Sequence, residues 1–477
     1  MTAFLAIVKL TCRSAVRSHI FRLLLILLSL CVFLLPFTLR GDGTPKGEIQ
    51  LYLQYCLGFA GFILCVSSVW LACSEVSTDV ETAQIHMIVV KPVHRAVVLL
   101  GKYTGVALIH LVLLLIAAVA IYGFLALRLA SSEMSEEDRT MLDEQVLTAR
   151  AVYSPVRPDF NALAQQELER RLSEAGERDR NMVESIDDQS RQEAFLEIRK
   201  ELIATYGLIS NGEMCAWTFE GLPKNITEKD RVFLRYTVYV NRYYTYDQNA
   251  VRGSWIYVAN YARQSDDGSD IVVPVAEPQE PEEILSSAQN EVVVPIPANI
   301  FIRDGKADVA FMDLDTNTSE LNFEEGKGPF LLIRETGFFS NYCRAILTLA
   351  IGILSVTLLA SAVAACMSLP IAVFMSAAYL ISGGLANYMV TSIPDALDFQ
   401  ADYTGTFGYQ FGEVLLTLIV PLQDFFVTGH LANGELVSFP WIGMLFLKDF
   451  VLRMLPVFLL GAWIYTRREL ALVAKRG

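Results

Sequence analysis

The sequence predicts a polytopic α-helical membrane protein of six spans that carries a large α+β domain outside the bilayer. Three observations predict it. Hydrophobic residues make up 53% of the 477 residues and charged residues only 19%, with a mean hydropathy of +0.39; soluble domains carry about 25% charge. The two kinds of residue are segregated, with oily sequence over about the first 130 and last 135 positions and nearly all the charge between. Within that charged middle, the pattern changes from helical to alternating after Asn211–Gly212. A disordered chain, a collagen and an ordinary soluble enzyme are thereby excluded. A net charge of −14 argues against nucleic acid as a partner.

A bilayer core of about 30 Å takes roughly 20 apolar residues in a helix, because only a helix satisfies its backbone internally. Residues 19–39, 51–73, 104–127, 343–366, 369–390 and 441–465 qualify. The apolar run 414–420 is too short, stops at Pro421, and reads as a re-entrant or interfacial piece of an outer segment near 411–440. The long charged lead before the first span, with no small-residue cleavage site after it, reads as an anchor rather than a signal peptide.

Basic residues in short loops set orientation. Lys9, Arg13, Arg17 and Arg22 precede the first span; Lys91, Arg95 and Lys102 lie between the second and third; Arg467, Arg468, Lys475 and Arg476 end the chain. The connection after span five carries Asp395, Asp398, Asp402, Glu413, Asp424 and Glu435, with no cation before Lys448. Six spans put both termini in the cytoplasm of a bacterial inner membrane and residues 129–341 outside. That segment holds 39 acidic and 21 basic residues, a net of −18.

The domain plan follows. Residues 1–128 hold the first three spans, 129–341 the external domain, and 342–477 spans four to six with the outer segment. Within the external domain, 129–210 reads as helical. Leu172, Met182, Ile186, Phe195, Ile198 and Ile203 form one narrow stripe in a charge-laced helical hairpin. Residues 211–341 read as an antiparallel β-sandwich. Its strands are expected at 215–219, 232–239, 255–259, 271–275, 291–296, 307–313, 320–323 and 330–334, with turns at Asp304–Gly305 and Asp266–Gly268. The tyrosines Tyr236, Tyr239, Tyr243, Tyr244 and Tyr246 read chiefly as sandwich composition, with a sugar- or lipid-binding surface as the other reading. Of eight cysteines, only Cys215 lies well inside this domain, with Cys343 at its edge, so no disulfide framework is implied.

Catalytic motifs are absent. The nearest text to a P-loop, around Gly101–Lys102–Tyr103, lacks the first glycine and the Ser/Thr that would reach magnesium. There is no HExxH, GxSxG or GxGxxG, and the scattered histidines suggest no metal site. His110 is the one histidine placed to face a bundle interior, where a hydrogen-bonded core residue is the common outcome. Lys448, Asp449 and Arg453 can snorkel or pair at i,i+4.

The informative stretch is Ser74 to Gly105, SEVSTDVETAQIHMIVVKPVHRAVVLLGKYTG, between spans two and three. It reads as a short cytoplasmic helix broken by Pro92. It resembles the coupling region of the ABC-2 family of ATP-binding-cassette permeases through Glu75, Glu81, Thr82, Pro92, Val93, Arg95, Gly101 and Lys102, with Val89 where leucine is common. Residues 4–18 resemble the family's amphipathic elbow helix, and Tyr465-Thr466-Arg467-Arg468-Glu469-Leu470 its closing motif. The likeness covers the six spans, looks closest to copper-enzyme-maturation and gliding-type permeases, and leaves the external domain aside.

The resemblance implies a non-enzymatic permease subunit, an exporter, with a coupling helix that docks on a separate cytoplasmic P-loop ATPase. ATP and magnesium would belong to that partner, and this chain would hold no cofactor. A second permease copy (the same or a different chain), membrane lipid, and envelope proteins at the external domain complete the expected partners. Two other readings stay open: a membrane anchor or assembly factor for an envelope complex, and a secondary transporter.

Overall fold

The structure is a computed structural model. It describes residues 2–38, 41, 43–81, 93–131, 134–178, 187–210, 212–223, 231–242, 250–264, 270–278, 282–285, 291–296, 305–314, 319–323, 326–391 and 419–467. The chain divides into two compact units, Met1–Ala149 with Thr336–Gly477, and Arg150–Glu335.

The first unit is a helical bundle. Its helices are α1 (Thr2–Arg17), α2 (His19–Thr38), α3 (Pro45–Glu81), α4 (Arg95–Ser131) and α5 (Glu136–Gln145). After the second unit come α8 (Phe338–Cys366), α9 (Leu369–Thr391), α10 (Thr428–Ala432) and α11 (Phe439–Leu445). A π-helical stretch, Phe446–Met454, then leads into α12 (Leu455–Arg467). Among the described residues, three helices are long and apolar enough to cross a membrane: α3 over Pro45–Ser77, α4, and α8. A fourth span is counted if α1 and α2, bent by 68°, act as one. This is a membrane protein.

Lipid-compatible helices gain little from apolar contact alone, so they associate through small residues and internal hydrogen bonds. Helix α8 follows that rule. Thr348, Ser355, Thr357 and Ser361 are buried, and each hydroxyl donates to the carbonyl four residues back. Tyr52 of α3 and Tyr342 of α8 donate to the Ile121 and Ala118 carbonyls of α4, at 2.9 and 2.8 Å. The π-helical stretch has a local cause. Pro456 lacks an N–H, and its ring would crowd the carbonyl of Leu452 in a regular helix; a wider turn just before it relieves the clash.

The second unit contains a helical hairpin and antiparallel sheets. Helices α6 (Phe160–Arg178) and α7 (Asp188–Thr205) enclose a small core of Ala164, Leu168 and Ile198, with Leu172, Phe195 and Leu202 packed on it. Of the expected stripe, Leu172, Phe195 and Ile198 join this core, whereas Met182 and Ile186 lie outside the described residues. Outside it, Arg171 bridges Glu167 and Glu201. Hydrogen bonds from Arg170 and Arg171 lower the Glu167 carboxyl to about 2.

The strands are β1 (Thr148–Tyr153), β2 (Leu208–Ile209), β3 (Met214–Glu220), β4 (Val232–Tyr236), β5 (Tyr239–Arg242) and β6 (Ala250–Gln264). The remainder are β7 (Asp270–Pro278), β8 (Glu282–Leu285), β9 (Val292–Ile296), β10 (Lys306–Asp313), β11 (Ser319–Asn322) and β12 (Phe330–Gly337). They form sheets ordered β1-β12-β4-β9, β3-β10-β6-β7 with β8 on β6, and β2-β11-β5. The first two share one core. Tyr236 and Leu331 from the first face Trp217, Trp255 and Phe311 from the second, with Trp255 4.9 Å from Tyr236 and 5.0 Å from Phe311, centroid to centroid.

Three expectations change. Residues 129–210 are not all helical, because Thr148–Tyr153 is a strand that pairs β12; its alanines suit a helix, and the open edge of β12 decides otherwise. The run expected as one strand over 232–239 splits into β4 and β5, which belong to different sheets, with the Thr237 N–H turning to the Lys327 carbonyl between them. Strand β6 is three times the expected length, since β8, β10 and β7 pair successive stretches of it. Asp304 and Asp266–Gly268 fall outside the described residues, while Gly305 turns with φ +78°.

Gly253 sits in β6 opposite Asp313. A Cβ there would lie 1.9 Å from Phe311 Cζ. Gly253→Ala should therefore overpack the aromatic core and lower stability by about 1–3 kcal/mol. The urea midpoint of the second unit's tryptophan signal checks this, and an unchanged midpoint would contradict the register.

Candidate functional site

The sequence-predicted residues concentrate where α3 ends and α4 begins. Glu75 lies on the last turns of α3, and Glu81 is its final residue. Thr82 and Pro92 fall outside the described residues. Val93 is half-buried in an extended stretch before α4, and Arg95 is the first residue of that helix. His94 caps it: its Nδ1 accepts from the Ala96 N–H at 3.3 Å, and its carbonyl accepts from the Val97 N–H at 2.9 Å. Sequence reading missed this cap, because histidine is not among the Ser, Thr, Asp and Asn residues that usually mark a helix start.

Lys102 is the pivotal side chain. It is only 5% exposed, and its ammonium donates to the main-chain carbonyl of Glu75. An ammonium out of water needs oxygen partners, so this contact ties α3 to α4 close to the segment that joins them. Arg95 reaches in another direction, donating from Nη1 to the carbonyl of Thr466 at 3.4 Å. Tyr103 stacks obliquely on Phe458 at 5.6 Å, a second tie from α4 to α12. The structure therefore brings Glu75 and Lys102 together and sets Arg95 against the closing motif, within which Arg467 covers the Trp463 ring at 4.4 Å.

Helix α1 joins the same assembly. Its Ile7 and Thr11 rest on Gly101 and Gly105 of α4, where a Cβ would come within 2.8 and 2.7 Å of them. These glycines let the two backbones approach. Sequence reading recognised Gly101 but not Gly105, although the four-residue spacing is the known signal for close helix contact.

His110 is fully buried between α3 and α4. The Val106 carbonyl 2.8 Å from Nδ1 can only accept, so the proton is assigned to Nδ1. Nε2 faces the hydroxyl of Ser67 at 3.0 Å, whose single proton it shares with the Leu64 carbonyl, also at 3.0 Å. Both ring nitrogens have partners, and the histidine is a structural tie between helices.

The described part of the segment expected outside the bilayer, from Ile419 on, is packed rather than open. Residues 414–418 lie outside the described residues. From Val420 onward, the N–H of Val420 donates to the Tyr379 hydroxyl at 2.9 Å, and Gln423 donates to the Gly384 carbonyl at 2.8 Å. A 3₁₀ turn, Leu422–Phe425, presses Phe425 onto Gly352 of α8, where a Cβ would lie 2.8 Å from the Phe425 Cβ. Asn341 closes the segment by donating to the Glu435 carbonyl and accepting the Val437 N–H, at 2.6 and 2.8 Å. In the π-helical stretch, Asp449 is 1% exposed and accepts from Arg453 at 2.7 Å, and Arg453 also reaches the Ile419 carbonyl at 3.4 Å. The pair expected at i,i+4 is present and holds the main chain at Ile419. Lys448 takes no part in that pair.

No group of three or more His, Cys, Asp or Glu side chains suited to a metal occurs among the described residues. No family model, curated protein or solved structure matches the chain.

Removing one partner of a buried ion pair strands the other, at a cost of about 3–5 kcal/mol. Asp449→Ala should thus lower the melting temperature of the full chain in detergent, and adding Arg453→Leu should restore part of the loss. A double variant no more stable than Asp449→Ala would show that the stranded cation is not the cause.

Proposed function

We propose that this chain is the membrane-spanning permease subunit of an ATP-binding-cassette exporter of the ABC-2 type, driven by a separate cytoplasmic ATPase. In this reading the segment between α3 and α4 is the coupling element. The chain contributes no catalytic residue and no cofactor, and the ATPase partner supplies ATP and magnesium. Six helical stretches then cross the bacterial inner membrane, with both termini and the coupling segment on the cytoplasmic side and residues 129–341 outside. A second permease copy completes the path.

The observation that carries the proposal is the Lys102–Glu75 contact. A coupling element does work only if a push on it reaches the spans without being absorbed by slack. Here the two helices that leave the segment are tied to each other through a buried cation. Arg95 and Tyr103 carry the connection on to α12, and Gly101 and Gly105 carry it to α1. Displacement of the segment would move four helices as a block. An anchor for an external domain has no need of such a junction.

Arg95→Ala cuts the tie to α12, and Glu81→Ala alters the entry to the segment itself. Both should leave the amount of folded chain unchanged. Each should bring the ATPase activity of the reconstituted complex down toward that of the ATPase alone. Full stimulation by both variants would count against coupling through this segment.

A further inference from the structure

Helix α1 has two unlike faces. Val8, Thr11 and Ala15 are buried, and its close seat on Gly101 and Gly105 prevents the helix from rolling. The opposite face presents Lys9, Arg13 and Arg17, all exposed and spaced four residues apart. That spacing aligns them in one row, about 6 Å from each to the next.

Among the described residues nothing neutralises this row. The first 41 residues contain no acidic side chain. None of the three cations has an ion-pair partner among the described residues. Arg22, at the start of α2, is the next arginine or lysine along the chain, and it shares a hydrogen bond with His19 at 2.6 Å.

The row is also bordered by apolar side chains that no protein surface covers. Leu5 and Val16 lie on one side and Leu10 on the other, at 57, 50 and 65% exposure. A solvated face does not combine three unpaired cations with flanking leucines. A helix lying in the headgroup layer does, with apolar side chains in the acyl boundary and cations among the phosphates. The 68° bend between α1 and α2 turns α1 away from the direction of the apolar helix that follows.

We propose that the Lys9–Arg13–Arg17 face of α1 is a binding surface for anionic phospholipid headgroups of the adjacent leaflet. It takes one or more lipid phosphates along the row and seats Leu5, Leu10 and Val16 among the acyl chains. Because α1 rests directly on the N-terminal turns of α4, bound anionic lipid would also steady the junction around Lys102. The inference needs only that the chain is a membrane protein, and it stands or falls separately from the permease reading.

The test is lipid titration of the full chain, purified in a neutral detergent, followed by native mass spectrometry. Dioleoylphosphatidylglycerol should bind at least tenfold more tightly than dioleoylphosphatidylcholine. Each cation near an anionic surface contributes about fivefold. The Lys9→Gln/Arg13→Gln/Arg17→Gln variant should therefore lose the preference, and Lys9→Arg/Arg13→Lys/Arg17→Lys should keep it. Should the triple Gln variant fail to melt cooperatively in phosphatidylcholine micelles, Arg13→Gln alone takes its place, with an expected loss of about fivefold. Equal affinity of the unaltered chain for the two lipids would overturn the proposal. So would an undiminished preference in the Gln variants. Displacement of phosphatidylglycerol by inorganic phosphate at equal concentration would make this a free-phosphate site and overturn the lipid assignment.

Discussion

A lysine ammonium withdrawn from water must be matched by oxygen, and the junction of helices in the first unit depends on how Lys102 meets that requirement. Its partner is a main-chain carbonyl of α3, which cannot swing away as a side chain can. Separating α3 from α4 near the segment that joins them would break this contact in a low-dielectric setting. The neighbouring contacts build outward from this point. Arg95 and Tyr103 face α12, and Gly101 and Gly105 give α1 its seat.

The same constraint governs the rest of the bundle at lower energy. Each polar group in an apolar interior has to be closed internally. Hydroxyls on α8 turn back on their own helix, Tyr52 and Tyr342 find carbonyls on α4, and His110 divides its two nitrogens between Val106 and Ser67. The stretch from Ile419 is held in the same manner, with the main-chain groups of Ile419 and Val420 answered by Arg453 and Tyr379. The second unit is held differently. Its stability rests on aromatic burial between two sheets, with Trp255 at the centre.

Much of this could be read from the sequence, because long apolar runs and strict alternation are local signals. The helices α3, α4 and α8 and most strands announced themselves in that way. What escaped depended on distant partners. The strand at Thr148–Tyr153 exists because β12 offers an edge, and the split between β4 and β5 reflects two different sheets competing for one run. The π-helical stretch was foreshadowed only by Pro456. At the candidate site, residue types were legible, as with Lys102 and Arg95, but not their targets. Main-chain carbonyls such as those of Glu75 and Thr466 carry no sequence signature.

Coupling requires that an ATPase engage the segment between α3 and α4. The most direct measurement is a mild-detergent pull-down of the tagged full chain, with co-purifying proteins identified by mass spectrometry. Recovery of a P-loop ATPase subunit, lost when Glu81 and Arg95 are both replaced by alanine, is the predicted result. Recovery of envelope proteins with no ATPase would contradict it and make the chain an anchor for an external assembly.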